Sequence, residues 1–316
     1  MFENLHEINS AFSSKIAGLQ QHWDSTSIGL FKTCPRKYQY KMLSNIGTKG
    51  QATPLTFGIL YHSAMEQFAH LRAQGLPREK AILETIRYTL KQSKDYHPED
   101  ESIRTRQNLI RAIVWYFERF EDDPAETLIL ADGKPAVELS FSFSTGIESA
   151  AGENYTLQGH MDRVARLGDQ LFVLDHKTTK MALGDYYFKS YNPDNQVSLY
   201  TFAAHIVLGE TCSGVIIDAA QLGVGFSRYE RRTIRRTKAQ LEEWYRDLSV
   251  FLDFAETCAI RQYYPMNDTA CDKYGGCEFR PLCAADGGVR HRIIASDYEE
   301  KEPWNPTQKR GVSTND

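Results

Sequence analysis

Two acidic residues and a lysine lie close together near the middle of the chain. Asp162 ends the string GHMD, and Asp175 and Lys177 lie in the string LDHK. Asp175 and Lys177 follow the apolar run LFVL and are two residues apart, so on a strand their side chains leave the same face. An isolated D-x-K pattern is usually an exposed ion pair. Together with Asp162, however, this pattern predicts a site where two carboxylates converge beside a lysine.

Such a site would bind a cation, because two partly buried carboxylates repel each other unless a cation lies between them. Carboxylate oxygens favour Mg²⁺ or Mn²⁺, and an imidazole nitrogen from His62 on an upstream helix would favour Mn²⁺. A bound divalent ion can activate a water and neutralise the charge of a phosphodiester. Lys177 could then orient the water or stabilise the developing negative charge.

Two further polar positions accompany this site. Gln196 and Tyr200 are four residues apart on a predicted helix and therefore share one face. Both side chains can contact a phosphate or a base, although the same spacing also occurs on ordinary packed helices. Glu138, on the strand before GHMD, is expected near the site as an acid that does not bind the metal directly.

Cysteines occur near both ends of the chain. Cys34 is close to the N-terminus, and Cys271, Cys277 and Cys283 are evenly spaced near the C-terminus. Four thiolates can hold either Zn²⁺ or an iron–sulfur cluster. The two C-x₂-C pairs of a typical zinc ribbon are absent, and the remaining cysteines are expected to be buried thiols.

The elements that carry these residues follow from periodicity and turn signals. Alternating patterns predict strands over residues 136–143 and 156–167, and a continuous apolar run predicts one over 171–175, with a hairpin turn at Gly168 and Asp169. Helical spacing predicts helices over residues 57–72 and 193–209, two more over 79–121, and one from Thr237 to Arg261. A strand pair falls between the last two helices. Residues 288–316 are polar and are predicted to be a loosely ordered tail.

The bulk composition indicates an ordinary soluble globular protein. The 316 residues are 41% hydrophobic and 25% charged, with a net charge of −4. No apolar run is long enough to span a membrane, and the N-terminus is acidic, which argues against secretion. The negative charge excludes a global nucleic-acid footprint, so contact with nucleic acid must be local. The candidate is the basic stretch that contains Arg231 and Arg235.

The ordered series of motifs resembles a known family. His62 in GILYHSAMEQ, then GHMD, LDHKTTK and QVSLY, occur in the same order as in the RecB-like branch of the PD-(D/E)XK nucleases. The resemblance covers roughly residues 25 to 285. Met161 stands where the family name has proline, which is not a metal ligand. The resemblance implies that Asp162, Asp175, His62 and the backbone carbonyl of His176 bind Mg²⁺ or Mn²⁺, that Lys177 is the catalytic lysine, and that Gln196 and Tyr200 contact DNA.

The cysteine pattern is similar to that of four-cysteine nucleases of this family, the AddB-type and CRISPR-associated members, which carry a [4Fe–4S] cluster. The resemblance therefore favours a cluster held by Cys34, Cys271, Cys277 and Cys283, with Zn²⁺ as the alternative. The expected fold is an α/β restriction-endonuclease-like core, a mixed central sheet flanked by helices, with the cluster joining the terminal segments. The expected organisation is an N-terminal segment (1–24), one nuclease domain (25–287) with a helical insertion (about 75–125) and a catalytic core (about 136–236), and the tail (288–316).

The expected activity is metal-dependent hydrolysis of DNA, exonucleolytic on single-stranded or end-exposed DNA, in recombination, repair or phage DNA metabolism. Arg231 and Arg235 are expected to guide the strand. No phosphate-binding loop is present, so a helicase or recombination partner would have to unwind the DNA. The expected location is the cytoplasm of a bacterial or phage-infected cell. Two alternatives stay open: an endonuclease or end-trimming factor in a recombination or CRISPR complex, and a non-catalytic DNA-binding subunit.

Overall fold

The computed structural model describes residues 11–49, 53–98, 103–272 and 276–305. Its strands are β1 (His22–Trp23), β2 (Ile46–Thr48), β3 (Ala125–Thr127), β4 (Val137–Glu148), β5 (Asn154–Leu167), β6 (Gln170–Thr179), β7 (Cys212–Gly223), β8 (Phe226–Ile234) and β9 (Tyr298–Glu300). Its α-helices are α1 (Ser25–Thr33), α2 (Pro35–Tyr38), α3 (Thr53–Ala73), α4 (Arg78–Gln92), α5 (Arg106–Arg119), α6 (Asp185–Lys189), α7 (Asn195–Leu208), α8 (Lys238–Ile260), α9 (Arg280–Ala284) and α10 (Arg290–Asp297). A π-helical turn (Gln39–Leu43) follows α2, and a 3₁₀ turn (Asp268–Ala270) follows α8.

A mixed sheet of seven strands forms the centre of the fold, as the sequence predicts. Its order is β1-β5-β6-β7-β8, and β3 and β4 also pair with β5. β1 pairs with β5 and β6 pairs with β7 in parallel, whereas β5–β6 and β7–β8 are antiparallel. The parallel β6–β7 pair needs a crossover, which α7 supplies. The α/β class is therefore confirmed.

The chain divides into two compact units. One comprises residues 1–50, 142–159 and 242–309, and the other comprises residues 51–141, 160–241 and 310–316. Every residue that the sequence assigns to the metal site lies in the second unit, and the four cysteines lie in the first. The single-domain boundary of 25–287 stays a prediction.

In the second unit, helices α3, α4 and α5 enclose an apolar core. Buried side chains of α3 such as Phe57, Leu60 and Tyr61 pack with Leu109 and Ile113 of α5. The predicted helical insertion thus consists of α4 and α5, and α5 shares one core with α3. This packing fixes α3, the helix that carries His62.

In the first unit, an aromatic group of Trp23, Phe31 and Tyr38 forms the centre, with Trp23 stacked on Tyr38 at 5.6 Å. The side chain of Asp24 caps α1 by accepting from the Ser27 backbone N–H at 2.8 Å. Among the described helices, none combines the length and apolar character needed to cross a membrane.

The prediction of a loosely ordered tail is wrong for residues 290–300. They form α10 and β9, and β9 pairs antiparallel with β2. Tyr298 is buried and stacks on Phe279 at 5.6 Å. The polar sequence of this segment did not predict a strand, because the residues that pair with β9 lie about 250 positions earlier in the chain, in β2. Residues 306–316 lie outside the described part of the chain.

Candidate active site

The β5–β6 hairpin brings the two motif aspartates together. Gly168 holds the left-handed backbone of the turn, with φ of +59°. The paired register ends at Arg163 and Leu174, and Asp162 and Asp175 are the residues next to this last pair on the two strands. The sequence prediction that the hairpin aligns these two residues agrees with this register. Their roles in binding a metal stay a prediction.

Asp162 receives two donors at one oxygen. The backbone N–H of His176 donates to Asp162 Oδ2 at 2.8 Å, and His62 Nδ1 lies 3.1 Å from the same oxygen. His62 comes from the middle of α3, whose opposite face is buried in the apolar core. The helix therefore aims the imidazole at the carboxylate with little freedom.

Asp175 and Lys177 form a close ion pair. Asp175 is 1% exposed, and Lys177 Nζ lies 2.7 Å from its Oδ2. The same ammonium donates to Gln196 Oε1 at 2.9 Å, and Gln196 Nε2 donates to the hydroxyl of Tyr200 at 3.0 Å. Tyr200 is only 7% exposed. Gln196 and Tyr200 thus hold the lysine in place from α7, and Tyr200 offers little surface to a ligand.

Burial and charge shift the pKa values of these groups in opposite directions. Burial would raise the pKa of Asp162, but the neighbouring His62 outweighs it and lowers that pKa. Burial raises the pKa of Asp175 to about 6, opposed by Lys177 and supported by Asp162. Burial would lower the pKa values of His62 and Lys177, but their carboxylate neighbours raise both. The protonation states of these four groups therefore depend on one another.

One set of donor atoms in this site fits a metal ion. Ligand atoms of His62, Glu138 and Asp162 all lie within 4.8 Å of one another. These residues line a cavity of about 10 Å³, roughly the volume that holds one water or one ion. Within the described part of the chain the set does not include Asp175, whose carboxylate is turned toward Lys177. The mixture of one nitrogen and several carboxylate oxygens suits Mn²⁺ or Mg²⁺.

The other face of β6 carries a buried charge network. His176 Nδ1 lies 3.5 Å from Asp218 Oδ2 on the neighbouring strand β7. Burial lowers the pKa of His176 to about 4, so its ring is neutral at pH 7. Asp218, 1% exposed, accepts from Tyr116 Oη at 2.6 Å and from Arg231 Nε at 2.9 Å.

Arg231, which the sequence analysis expects to guide a DNA strand, has a guanidinium held inside the fold, and its role at DNA stays a prediction. Its side chain is 14% exposed and also donates to both carboxylate oxygens of Asp123, at 2.6 and 3.1 Å. Phe120 covers the guanidinium at 3.7 Å from the ring centre. Arg235 lies just past the end of β8, is exposed and donates to Gln170 Oε1 at 2.7 Å. Arg235 remains available to a ligand.

The cysteines of the first unit surround a separate cavity. Cys34, Cys271, Cys277 and Cys283 all line a space of about 160 Å³, and all are free thiols. The backbone N–H of Cys277 donates to Cys271 O at 2.8 Å. Cys34 Sγ accepts from the Asn267 backbone at 3.4 Å. Cys212 and Cys258 are buried elsewhere.

Three residues of the charge network escaped the sequence-based prediction: Tyr116, Asp123 and Asp218. Asp218 had a usable signal, because an acid inside the apolar run GVIIDAAQL must find a partner when the strand is buried. Tyr116 and Asp123 carried no such signal. Glu138 was expected near the site only as an outlying acid, yet its carboxylate is part of the donor set.

Comparison with known proteins assigns the family. A model of the PD-(D/E)XK nuclease superfamily matches residues 23–284. No curated protein matches the chain. Among solved structures, a candidate exonuclease from Eubacterium rectale is 11% identical, with a TM-score of 0.46 over 80% of this chain and 86% of that one. The protein SSO0001 is 13% identical, with a TM-score of 0.35 over 84% of this chain and 87% of that one. Because the family model covers most of the chain and includes all the motifs above, this protein belongs to the PD-(D/E)XK nuclease superfamily.

Proposed function

We propose that this chain is a metal-dependent DNA nuclease that hydrolyses phosphodiester bonds, acting as an exonuclease on single-stranded or end-exposed DNA. One observation carries the proposal: the hairpin brings Asp162 and Asp175 close together, beside an ion-paired and hydrogen-bonded Lys177. Two neighbouring carboxylates and a fixed ammonium suit a reaction in which negative charge moves between oxygens.

In this proposal, Asp162 and Asp175 hold Mg²⁺ or Mn²⁺ together with His62 and the backbone carbonyl of His176. A divalent ion in such a site supplies charge neutralisation at the phosphate and a water of lowered pKa. His62 lies 3.1 Å from Asp162, so the imidazole and the carboxylate can share one ion. The His176 N–H holds the Asp162 carboxylate in that orientation.

Lys177 acts on the reacting phosphate. Its ammonium is held between Asp175 Oδ2 at 2.7 Å and Gln196 Oε1 at 2.9 Å, so it needs little reorganisation to donate to a developing charge. Gln196 and Tyr200 support the lysine from α7, and Gln196 keeps a role at the DNA backbone. Arg235 contributes an exposed positive charge that attracts the phosphates of the DNA strand.

The biological setting proposed is recombination, repair or phage DNA metabolism in the cytoplasm of a bacterial or phage-infected cell. The chain lacks a phosphate-binding loop with the spacing of a helicase, so a helicase or recombination protein would supply single strands. An endonuclease or end-trimming activity is the alternative task for the same chemistry.

The four cysteines are proposed to hold a [4Fe–4S] cluster with a structural role. All four thiols line one cavity, so one shared group can bind them. Four thiolates hold either an iron–sulfur cluster or Zn²⁺, and the cysteine pattern resembles that of the nucleases that carry the cluster.

End-labelled linear and circular DNA, single- and double-stranded, tests the nuclease. With Mg²⁺ or Mn²⁺ the wild type should degrade linear single strands and leave circles intact. Asp175→Ala and Lys177→Ala should abolish cleavage. The matched controls are Asp169→Ala, in the exposed turn of the same hairpin, and Lys180→Ala, an exposed lysine just beyond β6.

If both control variants cleave DNA like the wild type, the loss of cleavage in the other two variants is due to Asp175 and Lys177. Cleavage of circular DNA would replace the exonuclease by an endonuclease. Failure of the wild type on every substrate with either metal would leave a non-catalytic DNA-binding protein.

A further inference from the structure

Glu138 lies on β4, beside Asp162 on β5. Asp175 lies on β6, which pairs with the other edge of β5. Val164 N donates to Ala136 O at 2.8 Å, and Ser140 Oγ lies 2.9 Å from His160 Nδ1. These contacts set the register of β4 against β5, and residue 138 falls opposite residue 162. Side chains at facing positions have Cβ atoms about 4.5–5.5 Å apart. The carboxylates of Glu138 and Asp162 are therefore neighbours across β4 and β5.

Two neighbouring carboxylates repel each other unless a cation lies between them. His62 Nδ1 lies 3.1 Å from Asp162 Oδ2, and Lys177 is paired with Asp175. The cavity of about 10 Å³ is lined by His62, Glu138 and Asp162. Its size matches a single ion.

The backbone of Glu138 is also unusual. Its φ is +48°, a left-handed conformation that residues with a Cβ rarely adopt. Such conformations persist where the surrounding structure holds them, and they concentrate at functional sites. Here the conformation accompanies a carboxylate whose oxygen lies within 4.8 Å of the His62 and Asp162 ligand atoms.

We propose that the Glu138 carboxylate is a direct ligand of the divalent ion, on the side of Asp162 away from Asp175. The proposal rests on the nuclease function proposed above and adds a ligand to that site. Glu138, His62 and Asp162 then present three donors from β4, α3 and β5. The set combines one imidazole nitrogen with two carboxylates, donors of the kind that Mg²⁺ and Mn²⁺ accept.

Mn²⁺ binding to the purified full chain tests the proposal without measuring cleavage. Free Mn²⁺ is followed by electron paramagnetic resonance for the wild type and for Glu138→Ala, Glu138→Gln and Asp162→Ala. Glu138→Ala should weaken Mn²⁺ binding at least about tenfold. The control is Glu66→Ala, because Glu66 lines the same cavity but lies outside the donor set, 3.6 Å from His70. This control should change the affinity less than threefold.

A second measurement separates a ligand from a residue that only positions others. Eu³⁺ luminescence lifetimes in H₂O and D₂O count the waters on the bound ion. Glu138→Ala should add at least one water, and Glu66→Ala should add none. Glu138→Gln keeps the volume of the side chain, so it repeats the affinity test should the alanine variant fold poorly.

The outcomes distinguish the two proposals. If Asp162→Ala abolishes Mn²⁺ binding but both Glu138 variants bind like the wild type with an unchanged water count, Glu138 is not a ligand and the nuclease site stands. If Asp162→Ala also binds like the wild type, the metal site itself is overturned.

Discussion

Replacing Arg231 by methionine should destabilise the protein strongly without primarily affecting DNA binding. The guanidinium makes four hydrogen bonds, to Asp218, Tyr116 and both oxygens of Asp123, at 2.6 to 3.1 Å. Methionine fills a similar volume but leaves the carboxylate of Asp218, 1% exposed, without its cation. Breaking a buried pair in this way costs about 3–5 kcal/mol.

The expected change in Tm follows from that cost. At about 2 °C per kcal/mol, the value for large domains, Arg231→Met should lower Tm by about 6–10 °C. Differential scanning calorimetry measures this change. Arg235→Met is the matched control, because Arg235 is exposed and its hydrogen bond goes to a neutral group, Gln170 Oε1. Its cost should stay within about 0.5 kcal/mol, or about 1 °C.

Two comparisons decide the role of Arg231. The double variant Arg231→Met/Asp218→Asn should lose less stability than the two single changes summed, because the uncompensated charge is removed. Affinity for single-stranded DNA should fall more for Arg235→Met than for Arg231→Met. An Arg231→Met protein that melts within about 2 °C of the wild type and loses more DNA affinity than Arg235→Met would refute the reasoning and restore the arginine as a strand contact.

Three further outcomes are expected. Lys177→Met should slow single-turnover cleavage about 10²–10³-fold while Mn²⁺ affinity stays within threefold, since the lysine acts on the phosphate; equal loss of metal binding would contradict this role. The Asp162 carboxylate outweighs burial and raises the pKa of His62 above 6.5, and burial raises the pKa of Asp175 to about 6, so protons compete with the ion for both groups. Mn²⁺ affinity should therefore fall continuously from pH 8 to 5, by about tenfold or more per unit below pH 6; a flat profile would exclude both groups as ligands. Cys34→Ser and Cys283→Ser should each lose the iron, sulfide and brown colour of anaerobically purified protein, and Cys212→Ser should keep them; colourless wild type with one zinc per chain would favour the alternative metal.

Local sequence patterns predicted most elements that carry the site. The turn at Gly168 and the alternation on either side of it set which residues of β5 and β6 face each other, so the pairing of Asp162 with Asp175 followed from counting. The spacing of Gln196 and Tyr200 likewise placed both on one face of α7. Such relations need only the repeat of a strand or a helix and one turn.

Local patterns did not predict the burial and the partners of individual side chains. Arg231 and Arg235 look equivalent in the sequence, yet one is buried against Asp218 and Asp123 and the other is exposed. Arg231 lies within β8, where this strand contacts α5, whereas Arg235 follows the last residue of β8. The contact joins residues more than 100 positions apart. A buried charge also requires a partner, and the sequence does not say which residue supplies it.

The sequence by itself determined the residue types, the order of the motifs and the hairpin that joins two aspartates, because strand alternation and turn chemistry act over a few residues. Only the tertiary structure decided that Glu138 joins His62 and Asp162, that four distant cysteines line one cavity, and that residues 298–300 form a strand. These features arise from packing between segments far apart in the chain. Burial there sets both the charge partners and the pKa of each group, and no local pattern encodes it.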